Sequence, residues 1–394
     1  MMTKLDEIAD ISLTSDDYLN DPFPTYEKVR EAGSAVYLPR YEAYAVGRYD
    51  AVRSVLSDWE TFSSAGGIGL NDLANGATQG MIIATDPPQH DALREVLADR
   101  LSPRAIRALS ERIAQQAEEL VVPLVARGAF DAVNDLARAF PVAIVLDLVG
   151  LPQDGRDKVL EWADAAFSAS APMSDRTMAA FPLLQDQLAY LSGISRDDLA
   201  PGSMGRAIYE AADAGRIPQE ACVPLMSAYV TAGVDTTINS ISNAVELFAR
   251  HPEQWTMLRE NRDLIPKAFN EILRYDSPVQ YFCRVATKDV KIGEDEVPAG
   301  ARLIVFYPSA NRDDRKWGNP KDFDITRDAS EHMAFSYGIH GCAGQGLARI
   351  EAHSILNALA NHVEKFEIGT PVRRLNQLIR GLDSLPVTVT PITD

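Results

Sequence analysis

The segment HMAFSYGIHGCAGQGLARIE carries one cysteine, Cys342, bracketed by Gly338, Gly341, Gly344 and Gly346. Three chemistries compete for a cysteine in that setting. A lone intracellular cysteine is most often a small buried hydrophobe. A catalytic thiolate needs a histidine partner, but His340 points elsewhere in an extended loop, and no QAC or CGSC signature surrounds it. A single thiolate offered by a loop stripped of side chains suits an axial iron ligand. The glycines let a flat cofactor approach the backbone, while loop N–H groups and the N-terminus of the following run, LARIEAHSILNALANHV, stabilise the charged sulfur.

Other spacings carry weaker signals. His90 and Arg94 stand four apart in a helical pattern and so share a face. Glu271 and Arg274, three apart, read by themselves as a helix salt bridge worth about a few tenths of a kcal/mol. In AGVDTT the Thr236 hydroxyl can bond back to the Ala232 carbonyl, bending the helix and opening a groove beside the small Ala232 and Gly233, while Thr237 reads as packing.

Helix-period patterns must position these groups. FPTYEKVREAG is an amphipathic helix ending at Gly33, and AVYLPRYEAYAVGRYDAVRSVLSD is two short strands followed by a helix. DPPQHDALREVLADRL and SPRAIRALSERIAQQAEELVVPLVARG are well-capped helices, the second closed by Gly128. DAVNDLARAFPVAIVLDLVGLP, GRDKVLEWADAAFSAS and FPLLQDQLAYLSG continue the helical series. PQEACVPLMSAYVTAGVDTTINSISNAVELFARHP is expected as one helix of about 50 Å, at about 1.5 Å per residue. After IPKAFNEILRYDSP the pattern turns to strands, RVATKDVKIGEDEVPAGARLIVFYPSANR. The architecture is mainly α with a smaller β part.

The 394 residues are 46% hydrophobic, enough for a large core, and no linker, repeat or low-complexity tract divides them. A net charge of -18 repels phosphate backbones and argues against nucleic acid as a partner. Cys222, Cys283 and Cys342 are too far apart for a disulfide framework or a CxxC metal site, which fits a reducing compartment. The acidic opening MMTKLDEIADISLTSDDYLNDP lacks the features of a signal peptide, and no apolar run reaches membrane-spanning length, so a soluble, cytoplasmic protein is expected.

The string FSYGIHGCAG resembles the haem-binding signature of the cytochromes P-450, Phe-Gly-x-Gly-x-His-x-Cys-x-Gly, with Ser336 in place of the first glycine. The resemblance continues through DPPQHDALR, AGVDTT, EILR, FCRVATKDV, SANRDD, FDITR and RGLDSLPV, in the order of the bacterial members. It implies one cytochrome P-450 domain over residues 1–394, with haem between the long central helix and the cysteine-loop helix. It makes Cys342 the proximal thiolate of a haem b, held noncovalently because no CxxCH motif exists, and His90, Arg94, Arg284 and His340 the partners of the propionates. It couples Glu271 and Arg274 to Arg327 as a scaffold for the cysteine loop. Asp235 and Thr236 become the acid–alcohol pair that delivers protons during oxygen activation.

The function implied is a haem-thiolate monooxygenase that places one atom of O2 in a small organic substrate and reduces the other to water, with electrons from a separate iron-sulfur ferredoxin and its NAD(P)H reductase. A peroxygenase using H2O2 is the rival enzyme; such relatives generally lack the acid–alcohol pair. A haem sensor or carrier without turnover is the rival from another class. The segments TFSSAGGIGLNDL, SAYVTAGVDTT, SPVQYFCRVAT, SANRDDRKW and LIRGLDSLPV are similar to members that demethylate para-methoxybenzoate, so O-demethylation or hydroxylation of a methoxylated aromatic is expected, with hydroxylation of a terpenoid or other alicyclic compound as the alternative. The expected pocket residues are Asn71, Phe167, Ser227, Ala232, Val279 and Cys283. Gly66 stands where the resemblance leads one to expect a carboxylate-gripping arginine, near Ser63 and Ser64, and Ser170 and Cys283 stand where ring-clamping phenylalanines are expected.

Overall fold

Local signals explain where the elements begin and end. In the computed structural model, which describes residues 8–98 and 100–392, the helix Pro103–Arg127 starts where Ser102 Oγ accepts the Ala105 N–H at 3.2 Å and stops at Gly128, whose φ of 78° suits glycine. The first seven residues of the acidic opening lie outside the described residues. Helices dominate the remainder, with a smaller β part.

Three segments depart from the sequence reading. The expected single helix over residues 132–149 is a π-helical turn, Ala132–Ala137, followed by the α-helix Ala139–Val149. Pro141 has no N–H for the Ala137 carbonyl, which breaks the regular ladder there. The long helix runs Cys222–Arg250 after a separate 3-10 turn at Gln219–Ala221, so its 29 residues span about 44 Å. YPSAN, expected as strand, is the short helix Tyr307–Asn311, with Pro308 in its first turn.

The main sheet has the order β1-β2-β8-β5-β3, where β1 is Val36–Leu38, β2 Ala43–Val46, β3 Phe62–Ser63, β5 Tyr281–Ala286 and β8 Arg302–Phe306. Within this sheet β2 and β8 pair in parallel, and β6 (Val290–Ile292) and β7 (Asp295–Val297) form a separate hairpin. The strands β4 (Ala129–Asp131), β9 (Val363–Ile368) and β12 (Pro386–Pro391) form a second sheet. Between them the hairpin β10 (Val372–Arg373) and β11 (Leu382–Ser384) carries the loop 374–381 back to the long helix.

A buried charge pair organises the half of the molecule around Cys342. Glu271 and Arg274 are both fully buried on the helix Ile265–Tyr275, joined by two hydrogen bonds of 2.7 Å. Arg274 also donates to the carbonyls of Asn311 (2.8 Å), Pro320 (3.0 Å) and Asp322 (3.1 Å), and Arg327 Nε reaches Glu271 Oε1 at 3.2 Å. Isolated, such a pair stabilises little; here removing one partner strands a buried charge at a cost of about 3–5 kcal/mol. Asn311 relays the order to the cysteine segment, accepting the Met333 N–H at 2.6 Å.

His332, next to Met333, is buried and accepts the Ala334 N–H at 3.1 Å. Burial, then the charges of Arg349 and Arg274, push its pKa down to about 3 from an unfolded value of 6.5. The unfolded chain therefore binds the extra proton first, so this contribution to stability is complete above about pH 6.5 and is lost as pH falls towards about 3, at up to about 1.4 kcal/mol per pH unit. His332→Gln is expected to flatten the dependence of the denaturant midpoint on pH over that window, compared with the parent protein.

Candidate functional site

The turn that carries Cys342 is left-handed twice within three residues. Ser336 has φ 60° and Gly338 φ 69°. A Cβ at Gly338 would collide with the Leu56 carbonyl oxygen of the helix Tyr49–Ser57, so only glycine fits there. Ser336 occupies the position where the P-450 pattern has glycine, and it takes the same backbone conformation at a cost of about 1 kcal/mol or more. The loop closes when Gly341 N–H donates to Gly338 O at 3.0 Å and Cys342 N–H to Phe335 O at 2.8 Å. The helix Gln345–His362 follows directly. Burial pushes the Cys342 thiol pKa up, while the N–H groups of Gly344 and Gln345 and the guanidiniums of Arg94 and Arg349 favour the thiolate.

Four cationic or donor side chains gather nearby from three elements. His90 and Arg94 lie on the helix Gln89–Ala98, Arg284 on β5, and His340 in the 3-10 turn before the cysteine. The two imidazole rings are 4.7 Å apart edge to face, and the buried Nε2 of each has no hydrogen-bond partner. Arg94 donates to Gly341 O and Arg284 to Cys283 O, each at 2.7 Å. Burial, and after it the charges of Arg284, His90 and Arg94, push the His340 pKa down to about 3.

Across from this cluster runs the long helix. Tyr229 lies within electrostatic range of Arg94 and Cys342, and one turn on, Ala232 is exposed and Gly233 and Thr236 half-buried along a helix otherwise mostly buried. Thr236 Oγ1 donates to Ala232 O at 2.8 Å, as the spacing predicts. Asn239 Nδ2 to Asp235 O and Ser240 Oγ to Thr236 O, both 2.8 Å, continue a run of side chains bonding back to the preceding turn. Asp235 is 1% exposed, and Arg374 Nη1 donates to its Oδ1 at 2.7 Å. Its Oδ2 has no partner, and burial raises its pKa.

The cytochrome P450 family model matches residues 210–378. Cytochrome P450 CYP199A2 of Rhodopseudomonas palustris is 40% identical over 95% of this chain and 92% of its own, and YjiB of Bacillus subtilis, a putative cytochrome P450, 32% identical over 93% of each. The crystal structure of CYP109B1 from Bacillus subtilis superposes with a TM-score of 0.79 at 30% identity, covering 93% of this chain and 99% of that one. The chain belongs to the cytochrome P450 family. It is a P450 monooxygenase, with haem iron as cofactor and O2 as co-substrate.

The residues present fit that cofactor. A P450 haem needs one thiolate donor and counter-charges for two carboxylates in an apolar slot, and this P450 offers Cys342 together with two orphaned imidazole nitrogens and two guanidiniums. No helix among the described residues is long and apolar enough to cross a membrane.

The expected pocket residues divide. Phe167 and Val279 pack in one apolar cluster with Leu378 and Ile379. Ser227 is buried and donates to Gln187 Oε1 at 3.0 Å, and Gln187 in turn donates to Thr231 at 3.2 Å. Asn71 spends its whole side chain on structure: it caps the helix Asp72–Ala77 and donates to the carbonyls of Ala169 (2.7 Å) and Ala171 (2.6 Å). Cys283 belongs to the same apolar cluster: it alternates with Arg284 along β5 and is fully buried with Tyr281, Ile304 and Phe306, where burial pushes its thiol up to about 12. A Cβ at Gly66 would meet Val285 at 2.7 Å, so no side chain fits at that loop position. Gln187, which meets Ser227, and Arg374, which meets Asp235, carry no sequence signal of their own because long-range packing brings them in.

Cys342→Ser or Cys342→His is expected to lose the strongly red-shifted Soret band of the ferrous carbon monoxide complex, whereas serine at Cys222 or Cys283 keeps it; absorption spectra check both. Ser336→Gly is expected to raise the unfolding free energy by about 1 kcal/mol through relief of the left-handed backbone, measured by denaturant titration.

Proposed function

We propose that this P450 O-demethylates or hydroxylates a methoxylated monocyclic aromatic without a required carboxylate, as a single catalytic domain over the whole chain. When bound, haem supplies the iron at which O2 is reduced and from which one oxygen atom enters a C–H bond. Cys342 Sγ would ligate the iron, and His90, Arg94, Arg284 and His340 would hold the propionates. The small, exposed Ala232 leaves room along the long helix, whereas Gly233 packs against Val145 of the helix Ala139–Val149. The Thr236 hydroxyl, bonded to Ala232 O, and the Asp235 carboxyl one residue earlier hold and pass the two protons the reaction consumes. That pair favours turnover driven by O2 over a peroxygenase or a sensor.

The observation that carries the substrate class is the filling of the Gly66 position by Val285, combined with the resemblance of the pocket-flanking segments to para-methoxybenzoate demethylases. Arg302, the cation of the adjoining strand, is paired with Asp72 at 2.8 Å, and Ser227, Gln187 and Thr231 satisfy one another. A benzoate would find no free counter-charge in that loop, so a neutral ring with extra methoxy or hydroxy groups is better matched. Hydroxylation of the methyl carbon gives a hemiacetal that releases formaldehyde and the phenol.

Electrons come from a separate ferredoxin with an NAD(P)H reductase in the cytoplasm. On a chain of net charge -18, Arg100, Arg104 and Arg107 flank Ile106, which packs against Gly346 at the start of the cysteine helix, and offer an acidic ferredoxin a cationic approach.

The test compares spin-state shift, NADH use and formaldehyde yield for para-methoxybenzoate, its meta-substituted analogues and the corresponding neutral phenols. Neutral phenols are expected to bind and couple best; terpenes or fatty acids shifting the spectrum while no aromatic does would remove the aromatic assignment. Asp235→Asn is expected to slow turnover by ~100-fold, and Thr236→Ala to divert electrons to peroxide or water.

A further inference from the structure

Arg349 is a half-buried cation held without an acid. It lies on the helix Gln345–His362, seven residues after Cys342, and its Nη1 donates at 2.5 Å to Oδ1 of Asn270 on the helix Ile265–Tyr275. Its guanidinium carbon sits 5.1 Å from the centre of the Phe335 ring, and the Phe335 carbonyl is the acceptor of the Cys342 N–H at 2.8 Å. Among the described residues, no carboxylate comes within ion-pairing distance of Arg349; its hydrogen bond goes to a neutral amide.

The placement follows from helix geometry. Side chains on a helix lean towards its N-terminus, so a guanidinium at position 349 covers the turn around Gln345 and reaches back to the cysteine loop. The Asn270 amide and the Phe335 ring then fix it there. The titratable groups around it carry no compensating charge. Glu351, two residues on, is fully buried without a partner, and burial raises its carboxyl well above the usual range. His332 and His353 are pushed down to about 3 and about 4, by burial first and then by the charge of Arg349. Burial disfavours the charge on Arg349 itself, and the group that favours it is the Cys342 sulfur. Arg94 faces the same sulfur from the helix Gln89–Ala98, but the propionates would claim its charge.

We propose that Arg349 is a positioning residue for electron entry: a fixed counter-charge to the Cys342 thiolate that makes the haem-loaded protein easier to reduce. The proposal rests on the reading of Cys342 as the iron ligand. One electron from an iron–sulfur ferredoxin converts ferric to ferrous iron; no bond breaks, no proton is required, and the site becomes one unit more negative. A cation held close by in a medium less polar than water favours the more negative state, and a half-buried one is screened less by salt than a surface charge. Arg349 thus supplies the charge that the thiolate side of the site otherwise lacks.

The reduction potential of the haem-loaded full chain, measured by dye-coupled titration with no ferredoxin present, tests this apart from any effect on docking. Arg349→Gln keeps a donor for Asn270 and is expected to disfavour reduction on the order of 10-fold, about 59 mV for one electron, while the red-shifted ferrous carbon monoxide band shows that Cys342 still ligates. Arg349→Lys keeps the charge and should stay close to the parent potential. Asn270→Asp gives Arg349 a carboxylate and should lower the potential as the glutamine variant does, which decides the matter if that variant misfolds. A parent-like potential in Arg349→Gln, or in Asn270→Asp where the former does not fold, overturns the proposal. So does an equal fall in the lysine and glutamine variants, since packing and not charge would then be the cause. If Cys342→Ser keeps the red-shifted band, the ligand reading falls; if Cys342→Ser loses the band while Arg349→Gln keeps the parent potential, only the role of Arg349 is lost.

Discussion

To present a sulfur to a flat cofactor, the backbone must turn without placing any side chain between them. Here Ser336 and Gly338 both take left-handed conformations, and Gly338 lies directly against the Leu56 carbonyl. That turn is not stable by itself. It is held by Phe335 O and Gly338 O within the loop, and from behind by Asn311 and by the buried Arg274, Glu271 and Arg327, whose charges are matched to one another and to backbone carbonyls. Helix, short helix and cysteine turn are thereby coupled, because each supplies a partner that another cannot find in water.

The two sides of the site treat buried charge in opposite ways. Behind the cysteine, Glu271 and Arg274 are fully satisfied and rigid. Along the long helix, Asp235 keeps one oxygen without a partner and shares its guanidinium with two exposed acids. A scaffold gains from complete pairing; a buried carboxyl paired through one oxygen keeps the other available.

The loop around residues 66–72 is tied to its neighbour through backbone groups. Asn71 bridges two carbonyls of the turn after the helix Val159–Ala169, and Leu70 N–H bonds to Ser170 O at 2.9 Å. These bonds bring the loop around residues 66–72 and the turn 169–171 into one surface. They also explain why a polar residue expected to meet substrate has no free donor left.

Much of the framework was legible in the chain alone. Periodicity and caps marked the helices around residues 23–32, 103–127 and 265–275, and the glycine-bracketed Cys342, the four-residue spacing of His90 and Arg94 and the back-bonding Thr236 all follow from local geometry, which a linear pattern encodes directly. The π-helical turn before Pro141, the short helix at Tyr307–Asn311 and the strands after residue 362 escaped that reading, since their pairing is decided by neighbours distant in sequence. The same holds for the face on which Cys283 lies, which depends on the register of β5 against β8, and for the reach of Arg374 to Asp235, 139 residues away. Residue type and spacing determine which groups can do chemistry; which of them meet, and which are buried without a partner, is set only when long-range packing removes water from between them.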